Sequence, residues 1–255
     1  MVPEQSWSLE GKTALVTGGA VGIGRAVVLA LAKAGALVGI HYHSSRDQAE
    51  AVLAEVRSMG GRALVLSGDL TMEADARAVV ETLAATGRLD IVVNNGGGLV
   101  KRAKIEDTDL DDWKRSLDLN ATTAFLVCKH AIPHLRATGS GRIVNILSLS
   151  VQTGGANGAG AYAAGKGALT VLTRTLAKEL APAVRANSIM PGTVETQHHE
   201  IHSTPEMLEN YRRQTPLGRN TFAQEVASSA LFLASDMSSH INGALIDISG
   251  GRFLR

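Results

Sequence analysis

Short apolar segments alternate with longer amphipathic segments along the whole chain. Runs rich in Val, Ile and Leu predict seven strands, at 12–17, 36–41, 63–68, 89–94, 142–147, 184–190 and 244–249. The segments between them predict helices at about 23–34, 46–59, 72–86, 109–137, 161–181, 204–213 and 223–234. Strands that are apolar on both faces are covered on both faces. The pattern therefore predicts an α/β fold, a Rossmann-type doubly wound sandwich with a seven-stranded parallel sheet and helices on both faces.

No low-complexity linker divides the chain, so residues 1–255 are expected to form one domain. The segment 192–222 is polar and contains Pro205 and Pro216. It is expected to be an insertion between a strand and the last helix, where a lid over a substrate site is typical.

A glycine-rich turn follows the first predicted strand. Gly18, Gly22 and Gly24 lie in the segment TGGAVGIG (17–24), which also contains Val21 and Ile23. Glycine allows the main chain to approach a ligand closely, and the helix that follows offers free N–H groups to a pyrophosphate. Glycines at this spacing often only make turns, but the order of strand, turn and helix favours a dinucleotide site.

The end of the second strand indicates which dinucleotide is bound. An acid at this position grips the 2′-hydroxyl of NAD, but the chain reads His43, Ser44, Ser45 and Arg46 before its first acid, Asp47. Hydroxyls and a guanidinium suit a 2′-phosphate better, so NADP(H) is favoured and NAD(H) remains open. Alternatively, Ser44 or Ser45 caps the next helix.

Tyr162 and Lys166 are spaced i, i+4, which places them on the same face of a predicted helix. Transfer of hydride to a carbonyl leaves an alkoxide that must be protonated. A free tyrosine has a pKa near 10, and a neighbouring ammonium is expected to lower the pKa by favouring the phenolate. The spacing alone is common, so a surface pair is the ordinary alternative.

The order and spacing of these motifs resemble the short-chain dehydrogenase/reductase family over nearly the whole chain. The residues that carry the resemblance are TGGAVGIG, Asp69, Asn94-Asn95-Gly96-Gly97, Asn120, Ser148, Tyr162-Ala-Ala-Gly-Lys166, Pro191-Gly192 with Thr196, and Ile248-Ser-Gly-Gly251. The resemblance implies that Tyr162 is the proton donor or acceptor and that Lys166 also holds the nicotinamide ribose. It further implies that Ser148 hydrogen-bonds the substrate oxygen, and that Asn120 holds a water linking Lys166 to solvent.

The resemblance also implies a larger set of cofactor contacts. Besides the glycine turn, the 43–46 segment, Tyr162 and Lys166, these are Asp69, Leu70, Asn95, Gly96, Gly97, Pro191, Gly192, Val194 and Thr196. Asn94 and Gly96 follow the strand beside which the family binds adenosine. Each of these residues could instead cap a helix or make a turn.

The chain departs from the family pattern at several places. Gly96 stands for the usual alanine, and Gly165 for the usual serine before Lys166. Ser148 lies one residue further from Tyr162 than is usual, with Ser150 as the other candidate serine. Val21 stands where many NADP(H)-preferring members have a basic residue, which weakens the preference for NADP(H).

Three functions are compatible with these motifs. The first is an oxidoreductase that transfers hydride between NADP(H) or NAD(H) and a small carbonyl or alcohol. The second, within the same chemistry, is a 3-oxoacyl-[acyl-carrier-protein]-type reductase, for which Arg212, Arg213 and Arg219 would supply a basic docking patch. The third is a non-catalytic NADP(H)-binding sensor or regulator, which should lose the tyrosine–lysine pair.

Composition limits the classes of partner that the protein is expected to bind. The net charge of +1 and the lack of a basic block with aromatics argue against nucleic acid. No apolar run of membrane length and no signal peptide are visible, so a cytoplasmic protein without a membrane partner is expected. Cys128 is expected to be a small buried residue. The resemblance implies a homo-oligomer, a tetramer or a dimer, built on the long helices at 109–137 and 161–181 and on the last strand.

No metal site is expected. His198, His199 and His202 lie in the polar insertion, and the i, i+4 spacing of His198 and His202 would allow a metal on a helix. Surface histidines on a lid are the simpler interpretation.

Overall fold

A seven-stranded parallel sheet forms the centre of the protein. The computed structural model describes residues 6–196 and 203–254. The sheet has the order β3-β2-β1-β4-β5-β6-β9, and β7 pairs with β8 in a separate two-stranded sheet. The strands are β1 (Thr13–Val16), β2 (Leu37–Tyr42), β3 (Arg62–Ser67), β4 (Ile91–Asn94), β5 (Gly141–Ile146), β6 (Val184–Pro191), β7 (Val194–Glu195), β8 (Thr221–Phe222) and β9 (Leu245–Ile248).

Helices cover both faces of the sheet, which confirms the predicted doubly wound α/β fold. They are α1 (Gly22–Lys33), α2 (Arg46–Ser58), α3 (Glu73–Ala84), α4 (Leu110–Leu117), α5 (Thr123–Ala137), α6 (Ser150–Thr153), α7 (Gly160–Glu179), α8 (Pro205–Arg213) and α9 (Ala223–Ala234). Short 3₁₀ turns occupy Ile105–Asp107 and Asp236–Ser238. None of the helices in the described ranges is both long and apolar enough to cross a bilayer.

The core follows from the alternation of side chains along each buried strand. Val16 and Val93 face α1, α2 and α9, whereas Leu15 and Val92 on the same two strands face α3 and α5. All four side chains are fully buried. Successive side chains of a strand point to opposite faces, so near-continuous apolar strands supply two cores, as the sequence predicted.

The strand order reverses between β1 and β4, which are hydrogen-bonded neighbours. Their connections leave the carboxyl edge of the sheet in opposite directions. In doubly wound sheets this switch point opens a crevice in which ligands bind. The glycine turn after β1 and the Asn94-Asn95-Gly96-Gly97 segment after β4 therefore lie side by side at that crevice.

The single helix predicted over 109–137 is wrong in one respect, because it is interrupted. A wider π-helical turn, Asp118–Thr122, separates α4 from α5. Such turns are rare and frequently mark functional sites. This turn contains Asn120, which is completely buried.

Helix α7 packs closely against the π-helical turn at Gly165. A Cβ at this position would lie 2.9 Å from the Cβ of Asn120 and 3.0 Å from the carbonyl oxygen of Ser116. Gly165 therefore stands in place of the usual serine where this chain brings two helical segments together. At Gly167, two residues along the same helix, an added Cβ would meet nothing within 4 Å.

The polar insertion at 192–222 has more regular structure than the sequence suggested. It contains β7, α8 and β8, with Val194 aligned to Thr221 and Glu195 to Phe222. Pro205 begins α8, and Thr204 caps that helix by accepting a hydrogen bond from the Met207 N–H at 3.3 Å. The three histidines of this segment, His198, His199 and His202, lie outside the described residues, and the lid stays a prediction.

Gly165 and Gly167 of α7 give a matched test of the close packing. Gly167→Ala is expected to raise the free energy of unfolding by about 1 kcal/mol, because alanine is the better helix former. Gly165→Ala is expected to lower it by roughly 1–3 kcal/mol, because the added methyl group pushes α7 away from the π-helical turn. Urea unfolding of both variants measures the difference. Equal stabilisation by the two substitutions would contradict the proposed packing.

Candidate active site

A cavity of about 350 Å³ opens at the carboxyl edge of the sheet, beside the switch point. Most of the site residues predicted from the sequence line it. They are Gly18, Val21, Gly22, Ile23, Asn95, Gly96, Gly97, Ser148, Tyr162, Lys166, Pro191, Gly192, Val194 and Thr196. The fold therefore brings together segments that are more than a hundred residues apart in the chain.

The glycine turn needs its glycines for two different reasons. Gly18 and Gly22 have positive φ angles of 61° and 54°, which other residues rarely adopt. Gly24 lies below the turn, and a Cβ there would be 2.0 Å from the carbonyl oxygen of Gly18. The turn leads into α1, whose first N–H groups have no partner within the helix. A backbone concavity of this kind at a helix N-terminus fits a pyrophosphate group.

Thr17 clamps the glycine turn to the segment after β4. Its Oγ1 accepts hydrogen bonds from the N–H groups of Asn95 at 3.0 Å and Gly96 at 2.8 Å. The Asn95 side chain returns a bond from Nδ2 to the Thr17 carbonyl oxygen at 3.0 Å. A Cβ at Gly96 would lie 3.2 Å from Thr17 Oγ1. The glycine found in place of the usual alanine therefore relieves a close contact.

His41, on β2, links the loops after β1 and β3 at the same edge of the sheet. It was not among the site residues predicted from the sequence. Its Nδ1 accepts the N–H of Gly18 at 3.2 Å, so its Nε2 donates to the carbonyl oxygen of Gly68 at 3.0 Å. Burial lowers the pKa of His41, and the bond to Gly68 opposes that shift. The neutral ring with its proton on Nε2 satisfies both backbone groups. A polar residue in an otherwise apolar buried strand was the signal in the sequence.

Ser148 is the serine that contacts Tyr162. Ser148 acts on the Tyr162 hydroxyl by lowering its pKa, and Ser148 Oγ accepts the N–H of Ser150 at 3.2 Å. The hydroxyl of Ser150 is shielded from solvent and has no hydrogen-bond partner among the described residues. The geometry thus separates two serines that the spacing along the chain left ambiguous.

Burial raises the pKa of Tyr162, and the hydrogen bond with Ser148 is the influence that lowers it. The sequence led us to expect that the charge of Lys166 would bring the pKa down. The net shift of the Tyr162 pKa is in the opposite direction, because removing the phenol from water disfavours the phenolate.

Lys166 is a buried cation, with only 3% of its surface exposed. Its Nζ donates a hydrogen bond to the carbonyl oxygen of Ile146, at the end of β5, at 2.9 Å. Burial lowers its pKa to about 8. Gly97 forms the wall beside it, with a φ of 145°. A Cβ at Gly97 would lie 2.9 Å from Lys166 Nζ and 2.6 Å from Asn120 Oδ1.

Asn120 is hydrogen-bonded to the main chain of Gly98, next to this wall, and does not itself line the cavity. Its Oδ1 accepts the N–H of Gly98 at 3.0 Å, and its Nδ2 donates to the carbonyl oxygens of Gly98 at 2.9 Å and Ser116 at 3.0 Å. Both ends of the amide are therefore bonded to the main chain. Its expected part in holding a water molecule stays a prediction.

The residues expected to contact a 2′-phosphate do not line the cavity. His43, Ser44 and Arg46 are exposed. Ser45 is the N-terminal cap of α2, but its side chain makes no capping hydrogen bond. The capping role considered for Ser45 is therefore not seen, and these groups remain at the surface beside the end of β2.

The turn after β3 is held by Asp69. Its Oδ1 accepts hydrogen bonds from the N–H of Thr71 at 3.0 Å and from the Thr71 hydroxyl at 2.7 Å. The bond from the Thr71 hydroxyl is the main cause of a lowered pKa at Asp69. Leu70, the next residue, is buried. Asp69 therefore stabilises this turn through its two hydrogen bonds with Thr71.

The Asn94 side chain makes hydrogen bonds within the core and does not line the cavity. Its Nδ2 donates to Asn145 Oδ1 at 2.8 Å and to Cys128 Sγ at 3.2 Å, which ties β4 to β5 and to α5. Cys128 is buried as expected, and burial raises the pKa of its thiol to about 12. The part of the chain that the structure describes contains no cluster of three or more metal-ligating side chains.

Further residues line the cavity that were not among the predicted site residues, and three of them carry large polar side chains. They are Arg102, which follows β4, Tyr211 on α8 and Arg252 in the C-terminal tail. Tyr211 lies in the segment expected to form a lid, but no motif assigns a role to any of the three, because their places depend on how distant loops fold over the carboxyl edge of the sheet.

The contacts of His41 predict a stability effect that depends on pH. His41→Phe leaves two backbone groups without partners, so the free energy of unfolding is expected to fall by roughly 1–3 kcal/mol. The pKa of His41 is lowered in the folded protein from its ordinary value of 6.5. Its contribution is therefore complete above pH 6.5 and is lost as the pH falls toward the folded-state pKa.

Urea unfolding between about pH 7.5 and 5 measures this contribution. The stability of His41→Phe should fall less on acidification than that of the unsubstituted protein, and cofactor binding should weaken because the glycine turn loses a support. His240→Gln, an exposed histidine outside the cavity, is the control and should behave like the unsubstituted protein. Parallel pH dependence in His41→Phe and the unsubstituted protein would refute the role of His41.

Comparisons with known proteins agree with this geometry. A family model described as enoyl-(acyl carrier protein) reductase matches residues 18–252. Cyclopentanol dehydrogenase of Comamonas testosteroni is 36% identical over 243 residues, which cover 94% of this chain and 96% of that protein. A 7α-hydroxysteroid dehydrogenase solved with NADH and 7-oxo glycochenodeoxycholic acid has a TM-score of 0.92 at 31% identity, covering 98% of both chains.

A gluconate 5-dehydrogenase from Burkholderia cenocepacia J2315, solved with NADP and tartrate, has a TM-score of 0.89 at 31% identity, covering 96% of both chains. These matches span nearly the whole chain in sequence and in structure. Each of these relatives is named as a dehydrogenase. The chain therefore belongs to the short-chain dehydrogenase/reductase family of oxidoreductases.

Proposed function

We propose that the protein transfers hydride between a nicotinamide cofactor and a small carbonyl or alcohol, with Tyr162 as the general acid and base. One observation carries the proposal. Tyr162, Ser148, the buried ammonium of Lys166 and the glycine turn all line one cavity. The relatives solved with NADH and with NADP support a nicotinamide cofactor.

The glycine turn and α1 hold the pyrophosphate, and the segment from Pro191 to Thr196 forms the opposite wall. When bound, the cofactor supplies the hydride for reduction or accepts it from an alcohol. The Cγ2 of Thr196 lies 3.4 Å from where a Cβ of Gly22 would be. The two walls are thus close enough to enclose a ligand between them.

Tyr162 donates the proton in the direction of reduction. In reduction, the carbonyl π bond opens as its carbon receives the hydride, and the oxygen takes the phenolic proton of Tyr162. A pKa raised by burial keeps Tyr162 protonated at neutral pH, which is the form that a proton donor needs. Ser148 donates a hydrogen bond to the same oxygen and stabilises its developing charge.

Lys166 supplies the positive charge of the site. With a pKa of about 8, it is mostly protonated at neutral pH. Its charge favours the phenolate that Tyr162 becomes after giving up its proton. In this way Lys166 stabilises the product side of the proton transfer, and it also holds the nicotinamide ribose.

NADP(H) is the proposed cofactor in preference to NAD(H). The exposed Ser44 and Arg46 stand at the end of β2, where no acid precedes Asp47, and the Ser45 hydroxyl is not used in capping. A guanidinium with neighbouring hydroxyls suits a 2′-phosphate. Val21 is exposed at the start of α1 and adds no charge there.

The alternative of a carrier-linked 3-oxoacyl reductase keeps the same chemistry but loses its docking patch. Arg212 and Arg213 both pair with Glu209, and Arg219 pairs with Glu225. Their charges are therefore balanced in part, because three arginines share two carboxylates. The non-catalytic sensor is disfavoured because the tyrosine–lysine pair is in place within the cavity.

Assembly as a homotetramer, or as a dimer, is the proposal for the oligomeric state. Three apolar side chains on helices α4, α5 and α7 are exposed, namely Leu110, Phe125 and Val171. Exposed apolar residues on long helices are compatible with burial against another subunit.

The catalytic proposal predicts a specific loss of activity. Tyr162→Phe is expected to lower kcat by about 10²- to 10⁴-fold, because the proton donor is lost while the ring is kept. The measurement follows absorbance of the reduced cofactor with a panel of ketones, aldehydes, sugars and 3-oxoacyl thioesters, and with the matching alcohols. Tyr42→Phe is the control and should retain full activity. Retained turnover in Tyr162→Phe would refute the tyrosine mechanism.

The cofactor proposal predicts a change confined to one cofactor. Arg46→Gln is expected to raise the KM for NADPH by about tenfold or more and to leave the KM for NADH unchanged, because one charge-assisted bond to the 2′-phosphate is lost. Arg57→Gln, at the other end of α2, removes the same charge away from the site and serves as the control. A KM for NADPH that does not change would show that Arg46 does not read the phosphate.

A further inference from the structure

The cavity has an uneven balance of charge. Its wall carries three cationic side chains, those of Arg102, Lys166 and Arg252, and no aspartate or glutamate of the described residues. Lys166 belongs to the proposed proton-transfer machinery. The two arginines have no part in that machinery, so their presence in the cavity calls for another explanation.

Arg252 is held firmly by uncharged groups. Its Nη1 donates to Thr193 Oγ1 at 3.0 Å and its Nη2 to Gln214 Oε1 at 2.9 Å. The guanidinium carbon lies 4.5 Å from the centre of the Tyr211 ring, an arrangement that favours a cation. A side chain fixed from the tail, from α8 and from the loop after β6 is oriented before any ligand arrives.

The neighbouring arginines differ from Arg252 in having acidic partners. Arg212 and Arg213 pair with Glu209, and Arg219 pairs with Glu225. Arg252 forms no ion pair with a carboxylate in the part of the chain that the structure describes. Its charge is therefore not neutralised by the groups that hold it.

Partial burial makes this unbalanced charge costly. Burial lowers the pKa of Arg252, while Tyr211 opposes the shift. A guanidinium remains charged in proteins. A partly desolvated arginine is therefore stabilised when an anion binds to it. Carboxylates and phosphates match the fork of N–H donors in geometry as well as in charge.

We propose that Arg252 binds a carboxylate of the substrate, and that the enzyme acts on a small hydroxy acid or on the matching oxo acid. This inference rests on the proposed function, which places the reacting carbon beside Tyr162. Arg252 is hydrogen-bonded to Thr193, which directly follows Pro191-Gly192, and it lines the same cavity as Tyr162. Arg102 also lines the cavity, with Nη1 bonded to the carbonyl oxygen of Asn157 at 3.2 Å, and adds a second positive charge to the same space.

The relatives leave the substrate class open. They are named for a cyclic alcohol, a hydroxysteroid and gluconate, respectively. Arg252 is thus a specificity-determining residue of this chain, argued from its own contacts.

The test compares acids with their neutral amides. Short-chain hydroxy acids are assayed beside their primary amides, which keep the shape and remove the charge. The unsubstituted enzyme should prefer the acids. Arg252→Gln should lower kcat/KM for the acids roughly 10- to 100-fold and should change that for the amides less than about threefold.

Two further variants distinguish the loss of the positive charge from a structural effect of the substitution. Arg252→Lys should recover part of the activity toward acids because it restores the positive charge. Arg219→Gln removes one charge at a paired arginine outside the cavity and should leave the preference unchanged. Equal losses for acids and amides in Arg252→Gln, or a raised KM for the cofactor, would overturn the proposal and assign Arg252 a structural or a cofactor-binding role.

A binding measurement covers the case in which the panel lacks the true substrate. Calorimetric titration of the enzyme, in the presence of oxidised cofactor, uses succinate, succinamide and inorganic phosphate. Succinate should bind in preference to both other probes, and Arg252→Gln should weaken it at least about tenfold. Preferred binding of phosphate, or no binding of succinate, overturns the inference.

The failure of this inference is distinguishable from failure of the proposed function. Turnover of neutral alcohols that depends on Tyr162 and not on Arg252 would refute only the carboxylate site. Turnover that survives Tyr162→Phe would refute the proposed function instead.

Discussion

The buried ammonium of Lys166 is the constraint on which the rest of the site depends. A charge with only 3% of its surface exposed is stable only where its hydrogen bonds are supplied in advance. The carbonyl oxygen of Ile146 supplies one of these bonds. The remaining positive charge is turned toward the cavity, where it can act on Tyr162 and on a ligand. Burial thus converts an ordinary surface cation into a group that ionises near the physiological range.

Several local features of the fold follow from the need to enclose this charge. Gly97 has no side chain because one would collide with Lys166 and Asn120. The π-helical turn carries Asn120 into the position from which it holds Gly98. Gly165 lets α7 approach that turn closely enough to place Lys166 at the end of β5. Thr17 and His41 then fix the neighbouring glycine turn against the same edge.

Much of this arrangement could be predicted from the sequence, because buried parallel strands and a glycine turn leave strong periodic and compositional signals. The seven strands, their alternation with helices and the glycine turn follow from such local patterns, whereas most of the other residues around the cavity were expected from the family resemblance. The π-helical turn did not, since 109–137 has an unbroken helical pattern and the change in hydrogen bonding depends on packing against α7. His41 was passed over because its two partners, Gly18 and Gly68, come from loops that are distant in the chain. Arg252 was missed for the same reason, since its partner Thr193 is 59 residues away.

Direct titration of Lys166 tests the central claim. The protein is labelled with ¹³C at the lysine Cε positions, and its NMR spectrum is followed with pH, with Lys166→Met used to assign the signal. The account predicts one lysine with a pKa of about 8, well below the ordinary value of 10.5, and the loss of that signal in the variant. A Lys166 signal that titrates with the surface lysines near 10.5 would show that the ammonium is not held in a desolvated chamber, and would contradict the account.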